Sequence, residues 1–448
     1  MAEPIISVSG LRGVIGESLT PELAARYACA FAAWAPKGAI VLTRDGRATG
    51  RMLADAIRAA LQAVGRNVLD ADVAATPTTG VLVRQLGCAG GIQVSASHNP
   101  PQYNGLKLFS PEGRVISAAS GQEVIDHYRA GTVHWVTHDR LGRVSDVVAP
   151  GDPHEQLILA TVNVQRIRAR QFHVLLDSNH GAGSLLGRSL LEALGCKVAV
   201  LGAVPDGQFE HPPEPTAENL AGVVAEVTAI GADIGFCQDP DADRLAIIDE
   251  NGRYLGEEYT LALCLDHVLG ANPGAVVTNC STSRMSEDLA MKHNVPFQRS
   301  AVGEANVVEV MESLEATLGG EGNGGVIDPR VGLVRDSFVG MALVLDAMAT
   351  REMRVSALAD ELPRYEIVKT KITLAREKIA PGLAALERHF KDAQCDRLDG
   401  LRLDWPGKWL LVRASNTEPV VRAIAEATTA AEAQRLCDEA AKVLTAAT

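Results

Sequence analysis

Residues 91–101 read GIQVSASHNPP and join a predicted buried strand to a serine-rich turn. The apolar residues 91–94 predict the strand, and the polar loop after it is closed by Pro100 and Pro101. Ser97 lies in this loop, where a serine can act as a nucleophile or carry a covalent group. Serine-rich strand ends are also common as plain turns. The loop by itself therefore leaves both interpretations open.

Predicted strands and helices alternate around this stretch. Before it, the pattern predicts strands at 5–9, 39–43 and 67–69 and helices at 21–35, 50–64 and 78–86. Thr20 followed by Pro21 is a typical helix start. A second round predicts a helix at 154–170, a strand at 174–177, a helix at 184–194, a strand at 198–201, a helix at 217–230 and a strand at 233–237. A third predicts a strand at 275–278 and helices at 286–292 and 305–318. Such alternation is typical of α/β layers around parallel or mixed sheets.

The carboxy-terminal part follows a different pattern. From about residue 369, strands at 371–374, 401–403, 409–412 and 421–425 are combined with helices at 382–390 and 430–444, which predicts an α+β module. Boundaries are expected in the stretches rich in proline, glycine and charge. The predicted fold is three repeated α/β domains plus a C-terminal α+β domain, at residues 1–150, 151–252, 253–366 and 367–448.

Composition narrows the class of protein. The 448 residues are 47% hydrophobic and 22% charged, which is typical of a globular protein with several domains. The net charge of −13 argues against binding nucleic acid or an anionic membrane surface. An anionic ligand would have to be met by local cations and backbone N–H groups. With no signal-peptide pattern at the start and no apolar run of membrane-spanning length, we expect a cytoplasmic protein.

The eight cysteines form no Cys-x-x-Cys pair, and most lie in apolar stretches. We therefore expect free thiols, mostly buried, in a reducing compartment. They are Cys29, Cys88, Cys196, Cys237, Cys264, Cys280, Cys395 and Cys437.

Residues 239–244, DPDADR, place carboxylates at three alternate positions. Asp239, Asp241 and Asp243 would repel one another without a cation, and such oxygen ligands suit Mg²⁺. The three, with Glu250, also match the ligand spacing of an EF-hand. That loop needs glycine where Arg244 stands, and the flanks 233–237 and 245–248 predict strands, not helices. A solvated acidic turn is the remaining alternative.

Residues 320–325, GEGNGG, have the spacing of a dinucleotide fingerprint. That motif must follow a strand and open a helix, whereas here a predicted helix precedes it and residues 326–329, VIDP, follow. A loop that lets the backbone approach a sugar fits better, with Glu321 and Asn323 as hydroxyl partners.

Residues 413–417, RASNT, follow a predicted strand and suit a phosphate dianion, although a capped turn is the alternative. Arg422, on the next strand, is a candidate second cation, or it points to solvent. His180 is expected to be a cap or packing residue.

Taken together, these segments resemble the phosphohexomutase family, which moves phosphate between the 1- and 6-positions of hexose phosphates. Residues 9–13 (SGLRG) resemble its first phosphate loop, and residues 104–107 (NGLK) resemble the lysine segment after its phosphoserine. The serine, aspartate, glycine and C-terminal phosphate loops follow in the family's order. The resemblance implies four domains around a central cleft.

The resemblance also implies roles. Ser97 would carry a phosphoryl group and, with the three aspartates, hold Mg²⁺; Arg244 would orient a phosphoryl oxygen, and Lys107 would neutralise charge or assist proton transfer. Arg12 and His98 are further catalytic candidates. The residues expected to bind substrate are Gly303, Glu321, Asn323, Arg413, Ser415, Asn416, Thr417 and Arg422.

The implied substrates are small sugar phosphates, with a hexose 1,6-bisphosphate as activator and intermediate. The chain around residues 301–306 and 320–325 is similar to archaeal-type mutases, which favours glucosamine phosphate, followed by mannose or glucose phosphate. Gly324 and Gly325 stand where many relatives carry serine and histidine, so the sugar stays open. The resemblance is compatible with a homodimer.

Two other classes of function remain. A metal-dependent phosphatase would release the Ser97 phosphate to water. A catalytically silent sugar-phosphate-binding relative is disfavoured, because neither the serine nor any of the aspartates is missing.

Overall fold

The computed structural model describes residues 5–7, 10–414 and 420–446. The chain divides into two compact units, one holding the residues up to 268 together with 323–359, and the other holding 269–322 and the residues from 360 onward. No helix in the described part of the chain is both long enough and apolar enough to cross a membrane.

The first unit begins with a mixed sheet of seven strands in the order β1-β2-β6-β5-β3-β4-β7. The strands are β1 (Ile5–Ser7), β2 (Gly10–Val14), β3 (Ile40–Arg44), β4 (Val68–Val73), β5 (Gly90–Val94), β6 (Tyr103–Phe109) and β7 (Val144–Asp146). The helices are α1 (Pro21–Trp34), α2 (Gly50–Ala63), α3 (Thr76–Gln85) and α4 (Ala118–Ala130), with a 3₁₀ turn at His138–Arg140. Thr20 caps α1 as expected, since its hydroxyl accepts the N–H of Leu23 at 3.2 Å. β5 is buried along its whole length and runs parallel to β3, so the loops after both strands leave the same edge.

A second mixed sheet of this unit has the order β11-β10-β8-β9. Its elements are α5 (Asp152–Leu159), α6 (Val164–Arg170), β8 (His173–Asp177), α7 (Gly183–Ala193), β9 (Lys197–Leu201), α8 (Ala221–Ala229), β10 (Ile234–Gln238) and β11 (Leu245–Asp249). The prediction of one helix at 154–170 was wrong. The chain breaks into two helices because Asn163 caps a new one, its side-chain oxygen accepting the N–H of Arg166 at 3.0 Å.

The following segment contributes to both units. Its elements are α9 (Glu257–Ala271), β12 (Val276–Asn279), α10 (Met285–Lys292), β13 (Phe297–Ser300), α11 (Glu304–Ser313), β14 (Leu318–Glu321), β15 (Gly325–Ile327), α12 (Ser337–Arg351) and α13 (Val355–Asp360). In the second unit β12 lies between β13 and β14 and is parallel to both. The predicted helix at 305–318 ends at Ser313, and Leu318 begins a strand. The glycine loop therefore does follow a strand, contrary to expectation, but the strand β15 follows it where a dinucleotide site would open a helix.

The C-terminal part of the second unit is the expected α+β module. Its antiparallel sheet has the order β16-β20-β19-β18-β17. The elements are β16 (Glu366–Thr373), α14 (Arg376–His389), β17 (Gln394–Asp396), β18 (Leu401–Trp405), β19 (Lys408–Ala414), β20 (Val420–Ala427) and α15 (Ala430–Ala446). Side chains of both helices and of the sheet form one buried apolar cluster, including Leu386, Leu410 and Leu436. This burial supplies the main driving force for folding the module.

All eight cysteines are free thiols, as expected. Six are buried, Cys196 is half-buried and Cys395 is exposed.

Candidate functional site

Ser97 occupies a strained turn just beyond the end of β5. Its backbone has φ +51°, a left-handed conformation that is costly for a residue with a Cβ. The Ser97 N–H donates to the Ser95 hydroxyl at 2.8 Å. The Ser97 hydroxyl donates to Asp239 Oδ2 at 2.7 Å, across 142 residues of sequence. The side chain is buried against the aspartate loop of the second sheet.

The aspartate loop joins β10 to β11, which form an antiparallel hairpin in which Gln238 pairs with Leu245. Asp239, Asp241 and Asp243 are fully buried, and one oxygen from each lies within 4.8 Å of the others. Asp239 Oδ1 accepts the N–H groups of Asp243 and Arg244 at 3.2 and 3.1 Å, which closes the turn. The flanking strands are those predicted from the sequence, and they rule out the helices that an EF-hand requires.

Cations surround the three carboxylates. Lys107 Nζ lies 2.5 Å from Asp241 Oδ2 and 2.6 Å from Asp243 Oδ2. Arg335 Nη2 donates to Asp243 Oδ2 at 2.7 Å, and the Thr76 hydroxyl donates to Asp241 Oδ2 at 2.6 Å. These contacts explain how so much negative charge is tolerated in the interior.

The three carboxyl groups are held at different pKa values. Burial raises the pKa of Asp239 well above its usual range, and the charges of Asp241 and Asp243 add to the effect. Burial acts in the same direction on Asp241, but the charge and hydrogen bond of Lys107 outweigh it and lower its pKa. For Asp243 burial is again the largest single effect, but the charges of Arg335, Lys107 and Arg244 together outweigh it and lower the pKa. The surrounding cations thus favour the charged forms of Asp241 and Asp243 in a buried site.

The donor set fits a hard divalent cation. Within the described residues, Asp241 Oδ1 and Asp243 Oδ1 are buried without a hydrogen-bond partner. Lys107 uses the other oxygen of each carboxylate, so these two atoms are left for a further ligand. With Asp239 and the Ser97 hydroxyl close by, all the donors are oxygens, as Mg²⁺ prefers. The aspartate loop could therefore hold a metal ion.

Three further candidates lie around Ser97. His98 Nδ1 is 3.4 Å from the Ser97 hydroxyl. Burial lowers the pKa of His98 to about 2, helped by the charges of Arg244 and Arg12, so the imidazole is neutral near pH 7. Arg244 Nε is 3.8 Å from Asp243 Oδ1, and Arg12 Nη1 donates to Asn99 Oδ1 at 3.2 Å.

In the second unit, Glu321 and Gly303 lie together. Glu321 is buried at the end of β14, where Oε1 accepts Asn279 Nδ2 at 2.7 Å and the Gly303 N–H at 3.2 Å. Gly303 immediately precedes α11, and the adjacent Val302 N–H donates to Asp399 Oδ2 at 3.0 Å. Asp399 Oδ2 also lies 3.1 Å from Arg413 Nε. Two of the predicted substrate-binding segments are therefore connected within this unit.

Arg413 and Arg422 are directly paired across β19 and β20, and Lys371 of β16 is paired with Arg422 on the other side. Directly opposed residues point to the same face of a sheet, so three cations stand in one row. Such a row suits an anion. Ser415, Asn416 and Thr417 lie outside the described residues.

Four family models match the chain in sequence order. They describe phosphoglucomutase/phosphomannomutase α/β/α domains I, II and III, at residues 5–134, 153–252 and 257–365, and the C-terminal domain, at residues 370–443. A phosphoglucomutase/phosphomannomutase of Thermococcus kodakarensis is 36% identical over 446 residues, covering 97% of both chains. The chain belongs to the phosphoglucomutase/phosphomannomutase family.

Other relatives agree with this assignment. A probable phosphoglucosamine mutase of Methanopyrus kandleri is 32% identical and covers 96% of this chain and 95% of its own. The crystal structure of a phosphoglucomutase/phosphomannomutase family protein from Burkholderia thailandensis has a TM-score of 0.87 at 28% identity, covering 99% of this chain and 97% of that one. The curated relatives are named as mutases, so this family member is an isomerase, and the fold class predicted from its sequence is confirmed.

Several residues that contact the serine and aspartate loops of this mutase were not predicted from the sequence. Thr76 and Arg335 bind the carboxylates but are 165 and 92 residues distant in sequence, and no local pattern marks them. Asp45 and Arg47 contact the serine loop and did carry a signal. Both residues lie in the loop after β3. Because β3 is parallel to β5, this loop lies at the same edge of the sheet as the serine loop that follows β5.

Gly324 and Gly325 of the glycine loop both have close neighbours. A Cβ on Gly324 would lie 2.2 Å from the carbonyl oxygen of Leu245, and one on Gly325 would lie 2.3 Å from Arg335 Cδ. The Gly324 carbonyl accepts the Leu245 N–H at 3.1 Å. The second half of the loop, which begins with Asn323, thus packs directly on β11, the strand that follows the aspartate loop. The backbone of Leu245 therefore leaves no room for a side chain at Gly324, and the Arg335 side chain fills the space beside Gly325.

Replacing Gly324 with alanine should therefore destabilise the protein. The new Cβ would clash with Leu245, and the residue would be held at φ +81°, so we expect a loss of about 2–4 kcal/mol in the free energy of unfolding. Urea denaturation measures it. Gly222→Ala, in α8 with open space around it, is the matched control and should be neutral or slightly stabilising. Equal stabilities of the two variants would contradict the steric explanation.

Proposed function

We propose that this protein is a phosphohexomutase that interconverts hexose 1-phosphates and 6-phosphates through a phosphorylated Ser97. The observation that carries the proposal is the 2.7 Å contact between the Ser97 hydroxyl and Asp239 within a buried trio of aspartates. A nucleophilic oxygen is thereby placed beside a site for a divalent cation, which is the arrangement that phosphoryl transfer requires.

The transfer proceeds in two balanced steps. In the first, a free hydroxyl of the sugar phosphate attacks the phosphorus on Ser97; the sugar O–P bond forms, the Ser97 Oγ–P bond breaks, and the sugar's proton ends on Oγ. The product is a hexose 1,6-bisphosphate. In the second, Oγ attacks the other phosphate, and its proton passes to the released sugar oxygen. The serine phosphate is regenerated, so the donor is never consumed.

The chain's own residues position the groups and balance charge. Asp239 Oδ2 accepts a hydrogen bond from the Ser97 hydroxyl and is therefore placed to take its proton when Oγ attacks. Lys107 is tied to two carboxylates, a geometry that favours the charge-neutralising alternative over that of proton acceptor. Arg244, beside Asp243, is placed to orient a phosphoryl oxygen. When bound, Mg²⁺ at Asp239, Asp241 and Asp243 would compensate the charge that develops on the phosphoryl oxygens.

We assign the non-reacting phosphate to the row of cations in the C-terminal domain. Arg413 and Arg422 are neighbours across two strands, with Lys371 beside them. The row brings three cations together, with Asp399 beside Arg413, and this local positive charge attracts a phosphate dianion. Ser415, Asn416 and Thr417 come shortly after Arg413 in the sequence, and we propose that they complete this clamp.

The substrate we favour is glucosamine phosphate. Glu321 is a buried carboxylate held by Asn279 and Gly303, and it suits the 2-ammonium group of glucosamine, which carries a positive charge. The name of the Methanopyrus kandleri relative supports this choice. Mannose and glucose phosphates are the second candidates, supported by the name of the more similar Thermococcus kodakarensis relative.

The function is tested by ³¹P NMR of the purified protein with Mg²⁺, a trace of hexose 1,6-bisphosphate, and each of the 1-phosphates of glucosamine, mannose and glucose. We expect the signal of a 6-phosphate to appear, fastest with glucosamine 1-phosphate. Release of inorganic phosphate alone would instead indicate a phosphatase. No change with any sugar would indicate a binding protein, and either result would overturn the proposal.

The variant Glu321→Gln sharpens the choice of sugar in the same assay. Removing the negative charge should lower kcat/KM for glucosamine phosphate about tenfold relative to glucose phosphate, because only the former carries an ammonium group. An unchanged ratio would remove Glu321 from sugar selection.

A further inference from the structure

Arg47 is a buried arginine bound to the backbone of the serine loop. It is 2% exposed. Nη2 donates to the carbonyl oxygens of Ser97 and Asn99 at 2.5 and 2.6 Å. Nη1 donates to those of Pro100 and Tyr103 at 2.9 and 3.2 Å. One guanidinium therefore binds four carbonyl groups within seven residues.

Asp45 completes this arrangement on the other side. Its Oδ2 accepts Arg47 Nε at 3.1 Å and the Ser95 hydroxyl at 2.7 Å. The Ser95 oxygen in turn accepts the Ser97 N–H. Both backbone groups of Ser97 are thus held, the N–H through Ser95 and the carbonyl by Arg47. This bracing explains how Ser97 persists at φ +51°, a conformation that must be over-determined by its surroundings.

A loop of the second sheet's domain covers the guanidinium. The Phe209 ring lies over Arg47, 5.1 Å from the guanidinium carbon to the ring centre. A Cβ on Gly207 would lie 2.7 Å from the Arg47 Cα, so this loop packs tightly on the arginine's backbone. The loop that contains Gly207 and Phe209 shields the Arg47 guanidinium from water, which strengthens the hydrogen bonds of the guanidinium.

We propose that Arg47 is a positioning residue for phosphoryl transfer: it holds the serine loop so that Ser97 Oγ stays aligned with the aspartate trio. The proposal rests on the function proposed above. Arg47 acts through the loop backbone. A lysine keeps the charge but has no planar fork, and so cannot bind four carbonyls in this geometry. Misplacing a reacting atom by about 1 Å can cost on the order of 10²-fold in rate.

The test is Arg47→Lys. We expect kcat to fall about 30- to 100-fold while KM for the sugar phosphate changes less than about threefold, because alignment is lost and substrate contacts are kept. Hydrogen exchange of the peptide covering residues 95–105 should become faster. Phe209→Ala should shift both readouts in the same direction by a smaller amount.

Arg66→Lys is the matched control. Arg66 lies in the same unit and likewise donates to backbone carbonyls, those of Ala32 and Ala35 at the end of α1. It should show a similar loss of thermal stability with kcat within about twofold of the parent. A kcat for Arg47→Lys within threefold of the parent, or an equal fall in Arg66→Lys, would overturn the positioning role.

The experiments distinguish a failure of the proposed function from a failure of the proposed role of Arg47. If the parent protein did not isomerise any sugar phosphate, the proposed function would fail. The exchange rates of residues 95–105 would still show whether Arg47 holds the loop. If the parent were active and exchange in Arg47→Lys were unchanged, only the role of Arg47 would fail.

Discussion

Ser97→Ala should lower kcat for sugar phosphate isomerisation by at least about 10⁴-fold, because no oxygen remains to carry the phosphoryl group. Its hydroxyl is also the donor to Asp239 Oδ2, and no other described hydroxyl makes that contact. Binding of sugar phosphate should persist, since the cations of the C-terminal domain are untouched. The measurements are ³¹P NMR for turnover and intact mass spectrometry for the covalent phosphate, which the variant should lack.

Ser184→Ala is the matched control for this experiment. Ser184 is a buried serine in α7 of the same unit, and its hydroxyl has no hydrogen-bond partner among the described residues. Its replacement should leave turnover and covalent phosphate as they are in the parent. Substantial turnover by Ser97→Ala would assign the phosphoryl group to another residue or to none.

Asp241→Asn should weaken binding of Mg²⁺ by about 10²-fold or more and reduce turnover accordingly. It removes one of three carboxylates in a buried site, where the lost attraction is poorly compensated by water. It also removes the charge of one carboxylate that contacts Lys107, while Asp243 keeps its own, so some loss of stability is expected. Calorimetric titration with Mg²⁺ measures the affinity, and removal of metal from the parent with a chelator should abolish turnover until Mg²⁺ is restored.

The exposed Asp55 provides the control for the charge change. It lies in α2, where it forms an ion pair with Arg58, and Asp55→Asn removes one negative charge outside the aspartate loop. Its affinity for Mg²⁺ should match the parent's. If Asp241→Asn bound Mg²⁺ within threefold of the parent, the aspartate loop would not be the metal site.

Local patterns predicted the type of most elements they identified, placed some boundaries poorly, and did not identify others, such as β6 and α12. The strands that flank the aspartate loop were expected from short apolar runs and are present as β10 and β11. The end of α11 was not expected, because no glycine marks it. Glu315 adopts the left-handed conformation there at φ +49°, a role that glycine usually takes at the end of a helix.

In the candidate site, too, residues within short motifs were predicted from the sequence, whereas residues that join the site through distant contacts were not. Ser97 and the three aspartates were identified from their own segments, since each motif is short and its chemistry is local. Arg335 was not, because a contact across 92 residues leaves no trace in either segment. The glycine loop was assigned to the sugar, yet the close approach of Gly324 to Leu245 is visible only after folding.

The sequence alone predicted the alternation of strands and helices, the serine turn and the acidic turn. These features depend on residues that are neighbours along the chain. Folding decided how they combine: that Ser97 meets Asp239, that Lys107 and Arg335 balance the buried charge, and that Arg47 holds the serine turn. The first two sets of contacts join different domains, the contact of Arg47 joins two loops of one domain, and the energies of all of them depend on distance and burial in three dimensions.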